Sequence, residues 1–125
     1  MIDKSSEIFT HIRYAIQPLC TSASQTYQDS PSKFPHVFVD NKDNPVTGTD
    51  MENSECAVTP MIEITAYTKD GLSSAKKIIS LADTEMRNMG FKRSFGPQQI
   101  TNVADTSITR VIARYSRKIA DGDEL

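Results

Sequence analysis

The sequence has few of the residue types from which catalytic and metal sites are built. Its 125 residues include two histidines, two cysteines, five glycines and no tryptophan. His11 and His36 stand outside any zinc-type spacing, and neither an HExxH nor a CxxC pattern occurs. The scattered glycines form no phosphate-binding loop, and no GxSxG nucleophile turn is present. We therefore expect a protein that is not an enzyme and that binds no metal or cofactor.

An excess of one charge sign is also absent, and so are long apolar runs. The 14 basic and 16 acidic residues leave a formal charge of −2. A nucleic-acid-binding surface would show as a strong basic excess. No stretch approaches the roughly 18 apolar residues of a membrane span, and the N-terminus does not resemble a secretory leader. With Cys20 and Cys56 expected to be free thiols, we expect a protein of the cytoplasm or of a particle assembled there.

Two helices are predicted from the spacing of apolar residues. A first helix over about residues 3–17 is indicated by apolar residues at helical spacing, namely Ile8, Ile12, Ala15, Ile16 and Leu19. The second helix lies within the stretch KDGLSSAKKIISLADTEMRNMG, which ends at Gly90. Glycine is the residue expected just beyond a helix C-terminus, because it adopts a positive φ without strain.

Five strands are predicted from alternation and turn residues. The candidates are residues 25–28, 36–40, 56–68, 91–102 and 106–119. Within them, Pro60 indicates an edge or a bulge, and Gly96-Pro97 breaks the fourth strand. The order α-β-β-β-α-β-β predicts an α+β fold, with a mainly antiparallel sheet and both helices packed on one face. We assign residues 1–118 to a single domain and residues 119–125 to a flexible acidic tail.

A long polar stretch over about residues 40–55 separates two of these strands. Its acidic residues include Asp40, Asp43, Asp50 and Glu52, whose spacing does not match an EF-hand loop. Loops of this length in small domains are usually either disordered or functional. One interpretation is a solvated loop. The other is an arm that reaches a neighbouring subunit, with these four acids at subunit contacts or in the lumen of an assembly.

Basic residues gather in the last two strands. Arg110 and Arg114 alternate with Ile108 and Ile112, while Lys92 and Arg93 follow the second helix. One interpretation is a half-solvated sheet face whose arginines pair with acids such as Glu63 on a neighbouring strand. Another is a protein contact surface formed by Arg110, Ile112, Arg114, Lys92 and Arg93, since arginine beside exposed apolar groups is typical of interfaces. The third interpretation is nucleic-acid binding, but no aromatic residues are interleaved with the basic ones to favour it.

Four stretches give the chain a resemblance to a known family. They are FPHVFV, IEITAYTKDGLSSAKKI, MGFKRSF and NVADTSITRVIARY. Their content and order resemble the tail terminator (tail completion) proteins of long-tailed bacteriophages and prophages, those of Gram-positive hosts most closely. The resemblance spans about residues 1–118. Its most specific parts are GF-x-R after the second helix and DTSI-x-R-x-I-x-RY in the last strand.

The resemblance implies a structural protein of the virion neck. Family members form a homo-hexameric ring on the head-proximal end of the tail tube, where they stop tube polymerisation and offer a docking surface for the head. The implied partners are further copies of the chain, the tail tube protein and a head–tail connector protein. DNA would only pass through the lumen. Two alternatives stay open: another head–tail connector such as a stopper or adaptor, and a small binding or regulatory module of a bacterial host.

Overall fold

The fold is seen in a computed structural model that describes residues 3–25, 33–49, 55–101, 107–120, 123 and 125. It contains two helices and eight strands. In chain order these are α1 (Ser5–Ile16), β1 (Ser22–Ser24), β2 (His36–Asp43), β3 (Val46–Thr49), β4 (Glu55–Val58), β5 (Met61–Thr68), α2 (Leu72–Asn88), β6 (Lys92–Thr101), β7 (Thr109–Ser116) and β8 (Ile119–Ala120). The predicted α+β class is confirmed.

Five strands form the main sheet, in the order β1-β2-β5-β7-β6. All neighbouring pairs are antiparallel except β1 and β2, which run parallel. The two central pairs fix the register, with Val39 opposite Ile64 and Ile64 opposite Ala113. Because side chains alternate along each strand, this register decides which residues share a face.

Both helices cover one face of this sheet. The buried residues of α1 are Ile8, Ile12 and Ile16, and they join one apolar core with the sheet and with the buried stripe of α2. An isolated 12-residue helix is marginal in water, so α1 depends on this packing. Burial of each of these isoleucines stabilises the packed helix by about 1.5–3 kcal/mol. Gly90 ends α2 at a φ of +82°, as expected for a left-handed terminal residue.

The predicted long strand over 56–68 is wrong, because the chain changes sheets within it. β4 and β5 are separate strands, divided at Thr59 and Pro60. β4 lies between β3 and β8 in a second, three-stranded sheet, whereas β5 is central in the main sheet. Proline has no N–H to donate, which accounts for the interruption at this point. The predicted short strand at 25–28 lies earlier, at Ser22–Ser24, and residues 26–28 lie outside the described part.

The C-terminal segment also differs from the prediction of a flexible tail from residue 119. Ile119 is fully buried and pairs with Val58, and Ala120 pairs with Ala57. The Ala120 N–H donates to the Asp123 carboxylate at 2.8 Å. Leu125 packs partly against the core. The domain therefore extends beyond residue 118, since apolar burial and backbone pairing fix the segment that follows.

The polar stretch is partly ordered as a pair of strands. β2 continues to Asp43, and β3 then pairs antiparallel with β4. Residues 50–54 lie outside the described part of the chain. Neither described helix is long and apolar enough to cross a membrane.

Candidate functional site

The candidate site lies on the sheet face opposite the helices, which we call the outer face. Its members, taken from the strand register, are His36, Phe38, Asp40, Glu63, Thr65, Tyr67, Arg110, Ile112 and Arg114. One interpretation of the sequence was a half-solvated sheet face here. In the structure, however, Glu63, Thr65 and Tyr67 are only 7%, 2% and 1% exposed. A small apolar cluster of Phe38, Tyr67 and Ile108 shields part of this face.

One row of the outer face is a network of charges. Asp40, Glu63 and Arg114 lie side by side on β2, β5 and β7. The Arg114 Nε donates to Glu63 Oε2 at 2.8 Å, and the Lys42 Nζ lies 2.9 Å from Asp40 Oδ2 and 3.8 Å from Glu63 Oε1. The hydrogen bond to Asp40 raises the pKa of Lys42. The buried carboxylate of Glu63 is thus held by two cations, as a buried charge requires.

This network gives Arg114 a role within the fold. Its guanidinium lies 5.0 Å from the centre of the Phe95 ring as well as against Glu63. The interpretation that the arginines pair with Glu63 across the sheet is therefore confirmed for Arg114. A charge reversal at Arg114 would place a second carboxylate against the buried one and weaken the fold itself. A contact role for Arg114 stays a prediction.

Arg110 differs from Arg114, whose Nε donates to Glu63. It lies between Tyr67 on β5 and Ile100 on β6 in the sheet register. Its Nε is buried and has no hydrogen-bond partner among the described residues. A buried donor without a partner costs about 1–3 kcal/mol, and more when the group is charged. The fold therefore leaves Arg110 as a cation able to accept an anionic partner from outside.

A cavity of about 290 Å³ opens beside Arg110 on the outer face. Phe38, Tyr67 and Ile112 supply apolar contacts, and Lys42 and Arg110 supply positive charge. Asp40 and Glu63 also line the cavity, but both already pair with Lys42. The arrangement suits a carboxylate attached to an apolar group, because the carboxylate would contact the cations and the apolar group would contact the aromatic and aliphatic side chains.

The structure separates the predicted basic contact residues. Arg110, Ile112 and Arg114 share the outer face, and Lys92 is an exposed residue at the start of the edge strand β6. Arg93 lies on the helix side, where its Nη1 donates to Asp83 on α2 at 3.2 Å. Arg93 and Arg110 therefore lie on opposite faces of the sheet, since a strand turns alternate side chains to opposite faces. A contact role for these residues stays a prediction.

The predicted acidic arm residues are separated as well. Asp40 lies on the outer face within β2 and pairs with Lys42, so it is part of the sheet and not of an arm. Asp43 is exposed at the end of β2, and its Oδ1 accepts the Asn44 N–H at 2.8 Å. Asp50 and Glu52 lie outside the described residues. Whether Asp43, Asp50 and Glu52 face a lumen or a neighbouring subunit stays a prediction.

The described residues supply no alternative site built on metal or thiol chemistry. Within them, no group of three His, Cys, Asp or Glu side chains could hold a metal ion. Cys20 is a buried free thiol whose Sγ lies 3.1 Å from the Ser22 carbonyl oxygen, and burial raises the pKa of this thiol. The side chain of Cys56 lies outside the described part.

Sequence reasoning missed the environment of His36 at the end of the outer face. The ring is 4% exposed and lies between two hydroxyls, with Ser22 Oγ 2.7 Å from Nδ1 and Ser24 Oγ 3.0 Å from Nε2. Burial lowers the pKa of this imidazole from its usual 6.5. The parallel pairing of β1 with β2 brings the two serines beside the His36 ring. Neither the spacing nor the type of these serines in the sequence predicted this pairing.

The neutral His36 ring predicts a loss of stability on acidification. Because its pKa is lower in the folded than in the unfolded chain, the unfolded chain binds the proton first as the pH falls. The stabilisation is fully present above about pH 6.5 and is lost towards the lower folded pKa. We expect the free energy of unfolding, measured by urea denaturation, to fall between about pH 7.5 and pH 5.

A pair of histidine variants isolates this effect. His36→Gln should remove most of the decrease. His11→Gln should keep it, because that substitution leaves the buried His36 ring and its contacts with Ser22 and Ser24 in place. An unchanged pH slope in His36→Gln would contradict the assignment.

Comparison with known proteins adds no family assignment. No protein-family model matches the chain, and no curated protein matches it. The resemblance to tail terminators therefore rests on the sequence stretches quoted above.

Proposed function

We propose that this protein is a structural subunit of a phage neck. Copies of it form a homo-hexameric ring that caps the head-proximal end of the tail tube, ends tube polymerisation and offers the docking surface for the head. It catalyses no reaction in this role. It acts in the virion after assembly in the host cytoplasm, and its partners are further copies, the tail tube protein and a head–tail connector protein.

The observation that carries the proposal is a buried donor without a partner on the outer face. The Nε of Arg110 has no hydrogen-bond partner among the described residues, and Arg110 lines a cavity that combines Phe38 and Ile112 with polar and charged side chains. In a domain that acts alone, such a site has no evident role. In an assembly, a neighbouring subunit occupies it. Interfaces commonly combine arginine with aromatic and aliphatic contacts in this way.

A second feature supports head-to-tail assembly. The β3–β4 pair belongs to a small sheet separate from the main one, so it is a different surface from the outer face. Contacts between two different surfaces of the same chain are heterologous, and they close into a ring when the rotation between subunits allows it. A self-complementary patch is not needed for such a ring.

Termination follows from the two unlike faces of a ring. One face binds the last ring of tube subunits in place of another tube ring, and the opposite face does not accept a tube subunit, so growth stops there. Acidic side chains in the lumen would keep DNA from binding as it passes. Asp43, which is exposed at the end of β2, is the candidate for such a side chain.

Labelling of purified particles with an antibody against this protein tests the proposed location. We expect label at one end of headless tails and at the neck of complete particles, because the ring caps only the head-proximal end. An antibody preabsorbed with the purified protein serves as the control.

Other labelling patterns would contradict the proposal in different ways. Label on tailless heads but not on headless tails would favour a connector protein instead. Label that is absent from all particles would favour a host protein.

A further inference from the structure

We infer that the cavity on the outer face receives the acidic β3–β4 segment of a neighbouring copy, with Arg110 binding one of its carboxylates. This inference rests on the proposed function for its occupant, a second subunit. Beyond that function, it specifies which two surfaces of the chain are in contact and which charged group binds them.

The charges around the cavity show which anion is missing. Asp40 pairs with Lys42, and Glu63 pairs with both Lys42 and Arg114. The buried Nε of Arg110 has no hydrogen-bond partner among the described residues, whereas Lys42 and Arg114 each pair with a carboxylate. A carboxylate entering the cavity would give its guanidinium a charge-assisted hydrogen bond, and the planar guanidinium can bind both oxygens of a carboxylate.

The walls of the cavity favour a peptide over a free anion. Phe38, Tyr67 and Ile112 line part of the cavity beside its polar side chains, so a small inorganic ion would leave this apolar part without a partner. The volume of about 290 Å³ lies at the lower end of the range for pockets that enclose a whole ligand. It therefore suits an apolar side chain next to an acidic one in an extended segment.

The chain itself contains a segment of that composition. Between residues 43 and 58 there are four acids and no lysine or arginine. The sequence DMENSE, residues 50–55, places Met51 between Asp50 and Glu52, and a further acid follows at Glu55. Charge complementarity thus selects the β3–β4 segment of a second copy as the occupant. Because the segment and the cavity are different surfaces, repeated contacts run head to tail.

Zero-length crosslinking of the purified full-length protein tests this contact. Arg110→Lys keeps the positive charge and places an amine in the cavity that a carbodiimide can couple to a carboxylate. The variant is mixed with ¹⁵N-labelled wild-type protein, so that mass spectrometry separates crosslinks between chains from those within one chain. Lys76 on the exposed side of α2 is present in both proteins and serves as the internal control.

The expected result is a crosslink between the amine at position 110 and residues 50–55 of the labelled chain. Its yield should exceed that of Lys76 with the same residues by about tenfold, because bound groups react at a high effective concentration. Crosslinks only within one chain would overturn the inference, since the segment would then cover its own cavity. A position-110 amine that reacts with a general acylating reagent but with none of these acids would also overturn it.

The result can be separated from the fate of the proposed function. Interchain crosslinks together with normal tail length after gene deletion would leave the subunit contact in place and refute termination. Overlong tails after deletion without these crosslinks would refute only the contact between the segment and the cavity.

Discussion

Replacing Gly96 by alanine is expected to lower the free energy of unfolding by about 3 kcal/mol. Gly96 has a φ of +79°, where a side chain adds strain. An added Cβ would also overlap the carbonyl oxygen of Ile112 on β7 and lie 3.2 Å from the Cα of Ala113. Both atoms belong to the backbone of a central strand, which cannot move without disturbing its hydrogen bonds. Urea denaturation followed by circular dichroism measures the loss.

Gly90→Ala is the matched control for this prediction. Gly90 has nearly the same φ, +82°, but its Cβ would meet only the side chain of Arg117, at 3.3 Å. A flexible side chain can shift, so we expect a loss of about 1 kcal/mol from backbone strain alone. Equal losses in the two variants would show that β6 absorbs the overlap, and would contradict a close approach of the two strands at Gly96.

This close approach matters because β6 borders the outer face. The β6–β7 register shifts between Arg93 and Phe95 and again between Phe95 and Gln98. The shifted register places Phe95 opposite Arg114, where its ring contacts the guanidinium. Sequence analysis predicted a break at Gly96-Pro97. The structure instead shows one continuous strand, Lys92–Thr101, in which the irregularity is accommodated.

The parts of the fold that were predicted correctly are those with strong periodicity. Ile8, Ile12 and Ile16 on α1 and the alternation along β7 placed both elements and their buried faces. Alternation alone could not reveal that β4 and β5 belong to different sheets, because the apolar pattern continues across Pro60. The strand at Ile119 was missed for another reason. Two residues carry no periodicity, and only their pairing with β4 makes them a strand.

The candidate site was predicted only in part. Alternation along β7 correctly placed Arg110, Ile112 and Arg114 on one face. It could not show that Arg114 is held by Glu63 while the Nε of Arg110 has no partner among the described residues, since that depends on the register between β5 and β7. The sequence did not show which face Arg93 occupies, and only its contact with Asp83 on α2 does. Asp40 stood where the predicted strand 36–40 met the polar stretch 40–55, and β2 continues three residues beyond it.

Loss of this protein is expected to change the length of phage tails. A tube grows by repeated addition of identical rings, so its length stays fixed only if some component makes the end unable to accept the next ring. Under the proposed function, addition without this protein continues beyond the intended length, and the tube lacks the surface that docks the head. The effect should be large if no other component marks the last ring.

A gene deletion with complementation isolates this effect. The gene is deleted from its parent phage or prophage, and the wild-type gene supplied in trans should restore parental tails. Parental tail lengths beside unjoined, DNA-filled heads would favour a connector role over termination. Complementation thereby separates loss of the protein from damage to neighbouring tail genes.

The distribution of tail lengths in the deletion strain, measured by electron microscopy, tests the central claim most directly. The account predicts tails that are longer and more variable than the parental ones and that carry no DNA-filled heads. Complete infectious particles with parental tails would contradict it and remove this protein from the assembly pathway.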